Sequence, residues 1–214
     1  MVGMMIMEDF GAQVASVWAG MRPHTRSLVE SALQAPNYSA SRALPATPYD
    51  SRAERELSVL LKALDERAVS PGNAALNTDQ LRELKRMANA CAALLHNQAQ
   101  SAEAFAQLIE RAILAHDYAQ LDQLADTIGV RLAPSGLCEL TRFPNPAVRA
   151  IGQEALAQTS TSTLVNLLGD QVDAAAARKA LERQAKDYGS DEARWIVSAL
   201  DRSDSDAEGD EDDF

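Results

Sequence analysis

Aromatic side chains are scarce in this sequence, at 5% of 214 residues, although 46% of the chain is hydrophobic. Alanine and leucine therefore supply most of the apolar content, and both favour helix. The β-branched runs that strands need are missing. The two cysteines, Cys91 and Cys138, are too few and too far apart for a disulfide framework or a zinc site. Histidine is limited to His24, His96 and His116. There is no glycine-rich phosphate loop, no HExxH, no nucleophile elbow and no CxxC, so the common templates for phosphate, metal and nucleophilic chemistry fail. No run of about 18 apolar residues occurs, and nothing is expected to span a membrane. The apolar start (Met4, Met5, Ile6) is interrupted by Glu8 and Asp9 with no cation before it, unlike a secretory signal. The expected location is the cytoplasm, and no cofactor is implied.

Positive charge is also short. The net charge is −11, and seven of the 31 acids crowd into the segment from Ser203 onward without a single base. The other 24 acids face 20 bases, so the rest of the chain is only mildly acidic. A ridge of Arg149, Arg178 and Arg194 is the one feature that favours nucleic acid. The overall charge argues against it, since phosphate binding relies on clustered Lys and Arg.

What is present is a series of helical stripes. Residues 1–50 read as a loosely ordered arm with one short helix, Thr25 to Leu33, followed by a Pro/Ser/Ala linker around Pro36, Pro45 and Pro48. An all-helical domain is expected over 51–202. Ser51 and Glu54 have capping-box spacing, and Leu57, Leu60, Leu61, Leu64 and Ala68 form one stripe behind them. After a break at Pro71-Gly72-Asn73, a helix from Asn77 or Thr78 carries Leu81, Leu84, Ala88, Cys91 and Leu95 on one side. Met87 and Leu94 lie on another side, which implies burial on two faces. A third helix runs from Ser101 to about Ala115 with Phe105, Leu108, Ile109 and Ala112 inward. From Ser203 to Phe214 the acidic tail has too little apolar surface to fold.

Asp117, Asn145 and Asp173 are candidate N-caps spaced 28 residues apart. Each opens a longer helix (Tyr118–Arg131, Pro146–Gln158, Ala174–Asp187). Each of these leads through a break to a second helix with serine near its start (Ser135–Thr141, Ser162–Leu168, Ser190–Leu200). The chain thus contains three helix-pair units at 117–144, 145–172 and 173–200, a period typical of helical arrays. In the middle unit, Asn145-Pro146-Ala147-Val148-Arg149 and Gln153-Glu154-Ala155-Leu156 resemble a HEAT-like α-helical repeat over Asn145 to Val172. The flanking units share the layout but not the residues, since Asp173 to Leu181 lacks the proline and the valine. The fold class expected is all-α, with helix pairs stacked as a short HEAT-like α-solenoid; the alternative is an irregular helical bundle. Such repeats offer extended surfaces, so the resemblance implies a protein-interaction or adaptor role.

Candidate sites are few. His116-Asp117, with His96 upstream, matches the dipeptide of HD-type metal-dependent phosphohydrolases, which are all-α. A small enzyme of that type is the alternative to an adaptor. The plainer reading makes Asp117 a cap with Gln120 three residues on, and places His116 at a helix end where a cation suits the dipole. Cys91 lies in an apolar stripe and reads as a packing residue, as does Cys138. Trp195 lies off the stripe of Ala193, Ile196, Val197 and Leu200. It is expected to pack on a neighbouring unit; the alternative makes Arg194 and Trp195 a partner-binding anchor. The acidic tail either solvates the chain, meets a partner with a basic surface, or shields the protein's own basic residues.

Overall fold

The computed structural model of the chain describes residues 7–34, 49–70 and 76–208. Among the described residues the structure is all-α: one 3-10 turn, eleven α-helices and no strand. None of its helices is long and apolar enough to cross a membrane. The chain divides into two compact units, Met1–Gln100 and Ser101–Phe214.

The first unit contains a 3-10 turn at Met7–Phe10 and four helices, α1 (Ala12–Gly20), α2 (Pro23–Gln34), α3 (Ser51–Val69) and α4 (Thr78–Gln98). Helices α3 and α4 pack along each other, with α1 against α3 and α2 against α4. The α3 stripe of Leu57, Leu60, Leu61 and Leu64 is fully buried. On α4 the expected two buried faces are present, with Leu84, Ala88, Cys91 and Leu95 on one and Met87 and Leu94 on the other, while Leu81 in the first turn is only half-buried. Asn77 and Gln80 cap α4 reciprocally, each side chain accepting from the other's backbone N–H at 2.8 and 2.9 Å.

Two expectations fail here. Residues 7–34 form two helices where only the short helix Thr25 to Leu33, now within α2, was expected; with the turn before them they bury Phe10, Val14, Met21, Leu28, Val29 and Ala32. Polar contacts fix them. The Arg22 guanidinium donates to both Asp50 oxygens (2.9 and 2.6 Å) and to Glu56 (3.1 Å), while Arg67 donates to the Phe10 carbonyl at 2.8 Å. From α4, Arg86 donates to the Leu33 carbonyl at the end of α2 (3.0 Å). Second, Asp50, not Ser51, caps α3 by accepting from Ala53 N–H at 2.7 Å. Glu54 is buried and accepts the Gln100 N–H at 3.1 Å. The proline linker at 35–48 and the Pro71-Gly72-Asn73 break lie outside the described residues.

The second unit contains α5 (Ala102–Leu114), α6 (Tyr118–Arg131), α7 (Pro134–Leu140), α8 (Pro146–Ala157), α9 (Thr161–Leu167), α10 (Ala174–Lys186) and α11 (Asp191–Glu208). Helix α5 buries Phe105, Leu108, Ile109 and Ala112 and packs on α6 and α7. Helix α8 touches α6, α7 and α10, and α10 in turn touches α9 and α11. The α7–α8 crossing is close because residue 152 is glycine: a Cβ there would lie 2.7 Å from the Leu140 Cβ and 3.1 Å from its carbonyl carbon. Asp117 and Asn145 cap α6 and α8 with side-chain bonds of 3.0 Å to Gln120 and Ala147 N–H. Asp173 forms no such bond; it is buried and engaged elsewhere. Helix α11 continues past Arg202 to Glu208, so the expected tail begins as helix, and 209–214 lies outside the described residues.

Candidate functional site

The histidines fall in different units. His96 is on α4 in the first, while His116 and Asp117 join α5 to α6 in the second. Among the described residues no group of three His, Cys, Asp or Glu side chains is placed to hold a metal ion. His116 has φ of 54°, the left-handed conformation that ends a helix. Its N–H bonds to the Ile113 carbonyl and the Asp117 N–H to the Ala112 carbonyl, which closes α5 with the paired bonds of a Schellman motif. The dipeptide thus ends one helix and caps the next. Neither Cys91 nor Cys138 is in a disulfide, and both are fully buried. Burial, then the nearby Asp173, push the Cys138 thiol up to about 11.

Trp195 does not pack on a neighbour. It is 75% exposed, while Ala193 is buried and Ile196, Val197 and Leu200 are half-buried. The stripe was legible from spacing, and the tryptophan faces away from it. Arg194 beside it is exposed and pairs with Asp191. Arg149 donates to the Phe143 and Pro144 carbonyls, and Arg178 pairs with Glu182 and Asp201. All three ridge arginines are therefore engaged within the second unit.

Sequence reading missed a second surface, a half-open cleft of about 300 Å³ between α8, α10 and the end of α7. Leu156, Val172, Ala176 and Ala180 supply apolar lining, while Arg142, Lys179 and Arg183 supply the charge. The lining includes three cations and no carboxylate. The cleft is positioned by contacts between distant segments. Arg142 donates to the Val172 carbonyl (3.0 Å) and to buried Asp173 (2.9 Å), fastening the end of α7 to the start of α10. At the other end, Glu154 of α8 accepts from Arg183 and from the Tyr188 hydroxyl. The Tyr188 bond, followed by that from Gln158, holds the Glu154 carboxyl below the usual range. Buried Gln184 donates to the Ala157 and Thr159 carbonyls (2.9 and 2.7 Å) and accepts from Thr161, locking α10 to the α8–α9 turn. Lys179 is exposed, and no described residue pairs with it. The arginines near Asp173 and Glu154 could be suspected from charge alone, but their partners lie 29 to 31 positions away, beyond any local pattern.

Compared with known proteins, the chain matches no family model, no curated protein and no solved structure.

Proposed function

We propose that the chain is a cytoplasmic protein-interaction or adaptor module without enzymatic activity of its own, and that Trp195 and Arg194 anchor its partner. The observation that carries this reading is the 75% exposure of Trp195 on α11. A tryptophan left in water forgoes a large apolar burial, and Trp beside Arg is the composition enriched at binding hot spots. The reading includes a HEAT-like stacking of α6–α7, α8–α9 and α10–α11. It draws support from α8 touching both α6 and α10, and from α7 touching both α8 and α9. A stack of this kind presents the outer face of its last helix to solvent.

Trp195→Ala tests the reading. Captured partners are compared between wild type and variant by affinity purification from the cell of origin, then by titration of the purified partner. A loss of at least about 2 kcal/mol in binding, roughly thirtyfold in Kd, is expected with an unchanged thermal midpoint. A variant that binds the same partners with wild-type affinity would refute the anchor.

A further inference from the structure

We propose that the acidic segment Asp210–Phe214 of this same chain occupies the cationic cleft between α8 and α10, as an intramolecular ligand that an outside partner has to displace. The inference does not depend on Trp195 and concerns a different surface of the second unit.

Charge supports it first. In a chain of net charge −11, a cleft lined by Arg142, Lys179 and Arg183 with no carboxylate is the exception. Arg142 and Arg183 already share their charge with Asp173 and Glu154, whereas Lys179 has no described partner to neutralise it. Leu156, Ala176 and Ala180 add apolar lining, so the fitting ligand combines carboxylates with one apolar group. Asp210, Glu211, Asp212 and Asp213 followed by Phe214 have that composition.

Geometry supports it second. A four-residue connection, 187–190, joins α10 to α11, and the two helices pack as an antiparallel hairpin with Arg178 paired to Asp201. At 1.5 Å per residue, α11 runs about 10 Å beyond Asp201 to Glu208, while α10 begins about 6 Å before Arg178. The end of α11 therefore lies just past the start of α10, where Arg142 meets the Val172 carbonyl, and both of these residues line the cleft. Six further residues reach up to about 20 Å, enough to round that end of α10 and enter. Covalent attachment supplies a local concentration near millimolar, so even a weak contact is populated.

The test uses the full chain and records by NMR the backbone amide signals of Leu156, Ala176, Lys179 and Ala180 and the methyl signals of Leu156, Ala176 and Ala180. In one variant Asp210, Asp212 and Asp213 become Asn, Glu211 becomes Gln, and Phe214 becomes Ala. Its cleft signals are expected to move, and a capped synthetic peptide of residues 208–214 should return them toward wild-type positions in a saturable way. Adding Lys179→Glu, at an exposed position that leaves packing intact, should weaken the peptide at least tenfold. Raising salt to 0.5 M, where screening falls to about 4–5 Å, should have a similar effect. Cleft signals that stay in place in the segment variant would overturn the proposal and leave the cleft to another ligand. Peptide binding that ignores Lys179→Glu would overturn it as well, by placing the segment elsewhere.

Discussion

At His116 the backbone is held at φ of 54°, a conformation that costs a side chain with a Cβ about 1–2 kcal/mol and glycine almost nothing. The two bonds that close α5 involve only backbone atoms, so they survive substitution. His116→Gly is expected to raise the stability of the second unit by about 1 kcal/mol, read as a higher urea midpoint. Cys91 is fully buried among leucines and alanines, and Cys91→Ser should lower stability by about 1–3 kcal/mol by placing a hydroxyl there. Cys138 gives a pH dependence with a definite sign. Its thiol is pushed up from 9.0 to about 11, so the folded state keeps a proton that the unfolded chain releases. The contribution to stability is full below pH 9.0 and is lost as pH rises through about 11. The alkaline fall in urea midpoint should accordingly be shallower in Cys138→Ala than in wild type.

Among the elements, the α7–α8 crossing and the docking of α2 show opposite kinds of constraint. The crossing is steric. Alanine at 152 would gain about 1 kcal/mol of helix propensity. The added Cβ would meet the Leu140 backbone and Cβ, which cannot swing aside, at an overpacking cost of about 1–3 kcal/mol. Gly152→Ala should therefore destabilise despite sitting in a helix. The α2 docking is electrostatic as well as apolar. The Arg22 guanidinium holds the Asp50 carboxyl well below the usual carboxylate range. For Glu56, burial pushes upward, but bonds from the Thr25 hydroxyl and from Arg22 outweigh it and leave the carboxyl lowered. Depressed carboxyls stabilise the fold above their ordinary range, and that stability is lost as pH falls below it. Glu56→Gln should flatten this acid limb, measured as thermal midpoint of the first unit against pH. Phe10, fully buried beneath α1, separates a docked segment from a loose one: Phe10→Ala should cost about 3–5 kcal/mol, where a loose arm would show no change.

For the whole molecule, the consequence of two units is that each has its own core. Phe10 and Leu57 belong to one, Phe105 and Ile128 to the other. Calorimetry on Phe10→Ala and Gly152→Ala should accordingly move different parts of the unfolding profile, each variant lowering the transition of its own unit. A single transition displaced equally by both would show that the chain unfolds as one body. The surface divides in a similar way. The second unit offers an exposed aromatic on its last helix and a cationic cleft between α8 and α10, and both are open to binding experiments at positions where substitution leaves the core alone.

The sequence by itself determined which residues become helix from Asn77 onward and which faces turn inward, because capping and the 3.6-residue period are local. Asn77, Ser101, Asp117 and Asn145 start their helices with their own side chains, and the leucines of α3 and α4 bury where their spacing puts them. The cap residues could not all be read this way. Asp173 has the spacing and chemistry of a cap, yet Arg142 arrives from a distant segment and takes its carboxylate. Residues 7–22 have weak local signals, and the docking of α1 and α2 is fixed by α3 and α4 through Arg22, Arg67 and Arg86. The exposure of Trp195 and the cleft are also tertiary facts. Spacing shows that a residue lies off its own helix's stripe, but whether another helix arrives to cover it depends on how the helices pack. In the same way, the cations of the cleft converge only when α8, α10 and the end of α7 come together.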